Sequence, residues 1–344
     1  GCTMSERTGD VVLSVKDLHV SFYTNRRCNR VLRGVSFDIR RGRTLCIVGE
    51  SGCGKSVTAN AILRLLPELS RIEQGSVTYW REGEKGIRLD QLKKNGREMR
   101  ALRGKDIAII FQDPMTALNP VYTVGKQIRE MIRQHKRGMR RKELRHESVQ
   151  ALAAMGIPAA EIRDGEYPHQ FSGGMRQRAM IAMAMSCDPK ILLADEPTTA
   201  LDVTISAQIF ELMNALKREH GTAIVMITHN MGVVAEMADD VAVMYMGNIV
   251  EYGSVEEVFV HPVHPYTRAL LRSIPVLGKG KDQQLEPIRG MTPDPFHRPK
   301  GCQFCPRCDF ATERCEKEMP QEEWISSGHY ARCFHIGEGS VNGK

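Results

Sequence analysis

The sequence predicts an α/β fold: a mainly parallel sheet with helices on both faces, followed by a small cysteine-rich extension. Three observations lead there. Between residues 11 and 255, short apolar runs alternate with segments whose apolar residues recur at helical spacing. One such run, residues 44–48, empties into a glycine-rich loop that opens a helix. From about residue 256, prolines and then cysteines replace the alternation.

Residues 11–22 alternate as a strand, 35–39 form a second, and 44–48 form the run ahead of the loop. The helix after the loop carries Ala59, Ile62, Leu63 and Leu66 on one face and stops at Pro67. Residues 80–106 are polar and dotted with glycine, an insertion before the strand 107–111, and residues 113–187 read as a mostly helical subdomain. Two buried strands, 191–194 and 223–228, bracket an amphipathic helix that uses Ile205, Ile209, Leu212 and Leu216 and ends at Gly221. Residues 241–245 and 249–252 flank Met246-Gly247-Asn248, a hairpin signal. His261-Pro262-Val263-His264-Pro265 reads as a linker, with Pro293, Pro295 and Pro299 beyond it. These signals divide the chain into an N-terminal extension (1–10), a main domain (11–255) and a C-terminal extension (256–344).

The composition, 42% hydrophobic and 26% charged over 344 residues, is that of a folded protein and excludes wholesale disorder. The net charge of +7 suits a nucleotide, acidic lipid or nucleic acid, and equally a solvated surface. Its densest part, Arg133, Lys136, Arg137, Arg140, Arg141, Lys142 and Arg145, reads first as a solvated helix face, with contact to lipid phosphates or nucleic acid as the alternative. No apolar run of about 18 residues is present, so no bilayer span is expected, and no secretory signal is seen. Gly1-Cys2-Thr3 ahead of Met4 read as an expression remnant and are set aside. The expectation is a cytosolic protein that reaches a membrane only through partners. Five of the ten cysteines follow residue 300, which in a reducing compartment points to metal rather than disulfides. Cys28, Cys46, Cys53 and Cys187 read as small apolar residues, with alkylation of Cys53 expected to hinder the loop it sits in.

The chemistry concentrates in two stretches. Gly49-Glu50-Ser51-Gly52-Cys53-Gly54-Lys55-Ser56 fits G-x-x-x-x-G-K-[ST] between a strand and a helix. Backbone N–H groups can surround a triphosphate only where side chains are missing, and the helix start adds positive dipole. Gly49, Ser51, Gly52, Gly54, Lys55, Ser56 and Val57 are therefore candidate ATP contacts, Lys55 as a point charge and Ser56 as a Mg²⁺ ligand. Ile191-Leu192-Leu193-Ala194-Asp195-Glu196 brings two acids out of a strand end: Asp195 to orient Mg²⁺, Glu196 as general base toward water. The bland reading of that pair is a helix cap ahead of Pro197-Thr198. Gln112 and His229 follow neighbouring strands, where they could reach Mg²⁺ and water, and the terminal phosphate, respectively.

Phe171-Ser172-Gly173-Gly174-Met175-Arg176-Gln177-Arg178 resembles the signature motif of ABC ATPases, and Ala200-Leu201-Asp202 resembles their D-loop. With the phosphate loop, Gln112, Asp195-Glu196 and His229 in the family's order, the resemblance covers about residues 11–255. It implies an ABC ATPase cassette: a RecA-like core plus helical subdomain, with two cassettes head to tail around two ATPs. Ser172, Gly173 and Gly174 would then bind the phosphate held by the partner's loop, and Asp202 is a further candidate nucleotide contact. Met175 stands where the family usually has glutamine, which puts one hydrogen bond in doubt. The family's adenine-stacking aromatic would be Tyr23, or else Phe22.

The finer resemblance is to oligopeptide/dipeptide importer ATPases, on FSGGMRQRAMIAMAM, on HPYTRALL (264–271) and on the tail from Gly301 to Cys333; nickel importers are close relatives. It implies a [4Fe–4S] cluster on Cys302, Cys308, Cys315 and Cys333, with Zn²⁺ or unligated thiols as alternatives and Cys305 as a competing ligand. It also implies a second ABC ATPase subunit in a heterodimer, two transmembrane permeases, an extracytoplasmic peptide-binding protein, and a place on the cytoplasmic face of the membrane. The rival is a soluble ABC ATPase acting on nucleic acid. Such proteins usually carry two cassettes or a long coiled coil, neither of which is seen, so no nucleic acid is expected. A subunit that only binds ATP is disfavoured by the presence of both Glu196 and His229.

Overall fold

The computed structural model describes residues 10–25, 27–82, 85–112, 117–199, 201–274 and 287–337. Nearly all of the predicted N-terminal extension, Ala200 of the D-loop-like stretch and two parts of the C-terminal extension lie outside the described residues.

In chain order come β1 (Val11–Thr24), β2 (Arg27–Arg40), β3 (Thr44–Val48), α1 (Lys55–Ile62), β4 (Ser70–Tyr79), β5 (Ile87–Arg88), α2 (Arg97–Leu102), β6 (Ile107–Ile110), α3 (Val124–His135), α4 (Arg141–Ala154), α5 (Ala160–Arg163), α6 (Gly173–Met185) and β7 (Ile191–Asp195). Then follow α7 (Val203–His220), β8 (Ala223–Thr228), α8 (Met231–Met237), β9 (Asp240–Tyr245), β10 (Asn248–Ser254), α9 (Val255–Val260), α10 (Pro265–Arg272), α11 (Glu313–Lys317), β11 (Glu323–Trp324) and β12 (Tyr330–Ala331). The chain divides into two compact units: Gly1–Leu13, Ile39–Arg43 and Tyr79–Met226 in the first, Ser14–Asp38, Thr44–Thr78 and Ile227–Lys344 in the second.

In the first unit β6 and β7 pair in parallel, Ile107 opposite Ile191 and Ile110 opposite Ala194. Their continuous apolar runs are those of strands covered on both faces. The stretch read as a polar insertion contains β5 and α2 and is fastened by Arg81 on Asp106 at 2.6 Å. The Asp106 carbonyl accepts from Lys190 N–H (2.8 Å) and Ile191 N–H (3.1 Å), which holds the two strand starts in register. On α7 the buried residues are Ile209, Phe210 and Met213, a face turned from the expected one, because Ile205 is used against α6 instead. The helix does end at Gly221, in left-handed conformation. The basic stretch is not one helix face: it spans the end of α3, a turn and the start of α4, and its seven named cations are all exposed. Behind it, buried Asp164 ties the helices together, taking Arg129 Nη1 at 2.6 Å and the Ser148 hydroxyl at 2.6 Å.

In the second unit β3 and β9 run parallel, Leu45 opposite Asp240 and Val48 opposite Val243. The predicted hairpin forms: β9 and β10 are antiparallel and close through Met246 and Gly247, both at positive φ (46° and 84°), as a two-residue hairpin turn requires. The antiparallel edge continues through β12 and β11, two short strands the sequence pattern did not reveal. Helix α1 ends at Ile62, well before Pro67, because Arg64 turns to φ 56°.

The stretch read as a linker is anchored instead. Glu251 on β10 is 0% exposed, and its carboxylate accepts from Val263 N–H (2.9 Å), His264 N–H (2.9 Å) and His329 Nε2 (2.8 Å). A buried acid must find donors, and a proline-broken turn has free N–H groups to give. His264, also buried, then caps α10 by accepting from Tyr266 N–H at 3.0 Å.

Two outcomes follow from these anchors. Asp164→Ala strands the Arg129 guanidinium and lowers unfolding stability by about 3 kcal/mol, read by urea denaturation. Burial holds the His264 imidazole down to about 4 from an ordinary 6.5, with Glu251 opposing and Arg268 assisting. The unfolded chain therefore binds a proton that the folded chain refuses. Stability is complete above pH 6.5 and falls on acidification toward pH 4, by on the order of 3 kcal/mol from this residue. His264→Asn, which keeps a capping acceptor, removes that component from a melting-temperature profile against pH.

Candidate active site

The second unit holds the phosphate loop. β3 is buried along its whole length and delivers Gly49 at its C-terminal end. A Cβ on Gly49 would lie 2.3 Å from the Met244 carbonyl oxygen, and one on Gly54, at φ 100°, would lie 2.6 Å from Leu32 Cδ2. These glycines are thus demanded by the chain's own packing as well as by any ligand. Ser51, Gly52 and Ser56 are exposed and Val57 is half-buried. Lys55, 6% exposed, folds back so that its ammonium donates to the carbonyls of Gly49 and Glu50, the latter at 3.0 Å. Cys53, the expected alkylation site, is buried, and burial pushes its thiol up.

Around the loop stand residues that sequence reasoning missed. Glu50 N–H donates to the Tyr266 hydroxyl at 2.8 Å, and its carboxylate is held by Arg307 from the cysteine tail. Tyr266 lies within the HPYTRALL stretch, noticed only through resemblance; nothing in the pattern around Arg307 marks it. Gly247 N–H donates to the Cys53 carbonyl at 2.9 Å, so the hairpin tip closes on the loop. Tyr23, near the end of β1, is exposed; its hydroxyl donates to Glu73, which pushes its ionisation up to about 12. The Arg71 guanidinium lies over its ring, 5.4 Å from the centroid. Phe22 is half-buried, leaving Tyr23 as the more open ring. His229 is exposed immediately beyond β8, and Asn230 caps α8 by accepting from Gly232 N–H at 2.8 Å.

In the first unit the parallel pairing of β6 and β7 sets Gln112 beside the acidic pair. Gln112 Nε2 donates to Glu196 Oε2 at 3.1 Å, and the Thr199 hydroxyl donates to the same oxygen at 3.1 Å. Glu196 has φ 43°, a conformation costly for a residue with a side chain and one that clusters at functional sites. It is not a helix cap: the cap is Asp202, which accepts from Ile205 N–H at 2.8 Å and starts α7. Ser172 caps α6, accepting from Met175 N–H at 3.2 Å. Ser172 and Gly173 are exposed while Gly174 is buried, its Cβ position 2.8 Å from Ile205 Cγ2. The signature-like turn and the start of α7 therefore lie against each other.

Cys302, Cys305, Cys308, Cys315 and Cys333 line one small cavity together with His264 and His335. Burial pushes the Cys302 thiol up to about 12. At Cys315 burial acts the same way but is outweighed by Thr312 (3.2 Å) and His335 (3.7 Å), and its thiol is held down. Among the described residues, no three His, Cys, Asp or Glu side chains gather as a group that could hold a metal ion, so the expected metal site is not met in this arrangement.

Two family models match the chain: ABC transporter, over residues 32–199, and oligopeptide/dipeptide transporter, C-terminal region, over residues 250–315. The dipeptide transport ATP-binding protein DppD of Bacillus subtilis is 48% identical over 94% of both chains. The oligopeptide transport ATP-binding protein OppD of Haemophilus influenzae is 49% identical over 95% of this chain and 98% of its own. The dimeric post-hydrolysis structure of the ATP-binding cassette MJ0796, bound to ADP and Pi, superposes with TM-score 0.62 at 26% identity, over 71% of this chain and 98% of that one. CbiO1 of Clostridium perfringens, part of an ABC transporter complex, gives 0.61 at 27%, over 73% and 92%. With its loop, its paired Gln112 and Glu196 and its capped signature turn, the chain belongs to the ABC transporter ATP-binding proteins, ATPases, and carries the C-terminal region of the oligopeptide/dipeptide group.

Proposed function

We propose that this chain hydrolyses ATP to power import of dipeptides or oligopeptides through a membrane transporter. The observation that carries the reading is near-complete alignment, at 48–49% identity, with ATP-binding proteins of dipeptide and oligopeptide transport. The loop fits a polyphosphate: a glycine cradle opens a helix, with a lysine ammonium enclosed among its carbonyls.

In this reading Gly49, Ser51, Gly52, Gly54, Lys55 and Val57 bind the phosphates, and Tyr23 stacks on adenine. Ser56, Asp195 and Gln112 would hold Mg²⁺, which supplies charge neutralisation on the phosphate oxygens. Glu196 accepts the proton of the attacking water. Its Oε2 is held by Gln112 and Thr199. His229 meets the terminal phosphate. Ser172, Gly173, Gly174 and Asp202 serve nucleotide held by a second ATP-binding subunit, in a heterodimer. Two membrane permeases and an extracytoplasmic peptide-binding protein complete the assembly, with this chain peripheral on the cytoplasmic face. Among the described residues no helix is long and apolar enough to cross a membrane, so the crossing is assigned to the partners.

The cysteine cavity is assigned to a [4Fe–4S] cluster on Cys302, Cys308, Cys315 and Cys333, with Cys305 competing. Each thiolate of such a cluster can take a different iron, so the sulfurs need not crowd one point as Zn²⁺ requires. Five cysteines around one cavity support this over unligated thiols. The cluster would clamp a region with little apolar core of its own.

Two measurements test the proposal. Glu196→Gln retains ATP affinity while phosphate release falls at least ~100-fold; turnover at the parental rate defeats the assignment. Anaerobically purified protein is expected to carry iron and acid-labile sulfide in equal amounts, and stoichiometric zinc in their place overturns the cluster.

A further inference from the structure

The second residue of the phosphate loop is gripped from the C-terminal region at both its backbone and its side chain. Glu50 N–H donates to the Tyr266 hydroxyl at 2.8 Å, and its two carboxylate oxygens take the two terminal nitrogens of Arg307 at 2.7 and 3.0 Å. The Arg307 side chain is only 3% exposed and is fixed independently of Glu50. Its Nε donates to the Arg289 carbonyl at 2.9 Å and Nη1 reaches the Thr292 hydroxyl at 3.4 Å. Its guanidinium lies 5.9 Å from the Phe304 ring centroid and 6.0 Å from that of Tyr245. Tyr245, Tyr266 and Phe304 pack against one another at 4.7–5.4 Å between centroids. The fork is thus pre-organised on an aromatic base before it meets the loop.

Two consequences meet at Glu50. Its carbonyl is one of the two that hold the Lys55 ammonium, so fixing this residue fixes the seat of the loop's cation. Its carboxylate would otherwise be a bare negative charge on a loop meant for polyphosphate. We propose that Arg307 is a positioning residue for nucleotide: by pairing with Glu50 it cancels that charge and holds the loop's carbonyls, so that the C-terminal region sets affinity for polyphosphate. The proposal rests on the ATP-binding reading above.

The test uses the full chain and MgATP as probe, with affinity measured by calorimetry and turnover by phosphate release. Removing Arg307 leaves Glu50, whose side chain is 32% exposed and is rehydrated, as an uncompensated charge. Arg307→Gln is expected to weaken MgATP binding and raise KM about tenfold, with kcat within about twofold. Glu50→Gln with Arg307→Gln recovers affinity to within about threefold of the parent, because the uncompensated charge is gone and only the tether on the loop is lost. Arg307→Lys keeps the charge without the fork and falls between; it also serves if Arg307→Gln does not fold. Parental affinity in Arg307→Gln overturns the proposal alone. A double variant as weak as Arg307→Gln, or a loss confined to kcat, likewise overturns it. Absence of MgATP binding by the parent overturns it together with the reading beneath it.

Discussion

A glycine loop of bare backbone cannot stiffen itself with side chains, and the second unit is built around that constraint. The rigidity comes from outside the loop. The Met244 carbonyl leaves no room for a side chain at Gly49, and Gly247 N–H holds the Cys53 carbonyl at 2.9 Å. Gly247 is itself pinned, since its carbonyl accepts from Arg33 N–H at 2.9 Å and a Cβ there would stand 2.0 Å from the Val31 carbonyl oxygen. The β9–β10 hairpin is therefore more than an edge of the sheet. Its tip is wedged between β2 and the loop, and its tight turn is what allows the wedge.

The first unit handles its chemistry differently. There the groups proposed to act on water are side chains, and their placement comes from strand register. One carbonyl, that of Asp106, fixes the start of β7 relative to the start of β6, and the parallel ladder carries that alignment to the strand ends. Gln112 and Glu196 consequently meet at hydrogen-bond distance although 84 residues separate them in sequence. Glu196 itself sits just beyond the buried strand in left-handed backbone, a local strain of the kind that clusters at functional sites.

What was legible in the sequence was whatever local spacing encodes. The glycine-rich loop between a strand and a helix, the apolar strands, the hairpin at Met246-Gly247 and the stop at Gly221 are short-range patterns, and each is present, although β2 begins at Arg27 rather than at the expected 35. The Asp195-Glu196 pair was legible because an acid pair at the end of an apolar run is also a local pattern. What stayed hidden depends on partners far apart in the chain. Arg307 lies 257 residues from Glu50, and an arginine between two cysteines carries no signal of a buried bidentate pair. Glu251 alternates within β10 like an ordinary exposed position, yet it is buried, because its donors come from 12, 13 and 78 residues further on. The proline-rich stretch looked like a linker for the same reason: prolines signal irregular backbone, not whether that backbone is tethered.

The triple coordination of Glu251 removes modularity from this protein. Severing the chain after the hairpin would remove all three donors of this carboxylate at once. The hairpin and the piece that follows it are consequently tied through one buried carboxylate. A tail exchanged into this chain must bring back three donors that reach this acid.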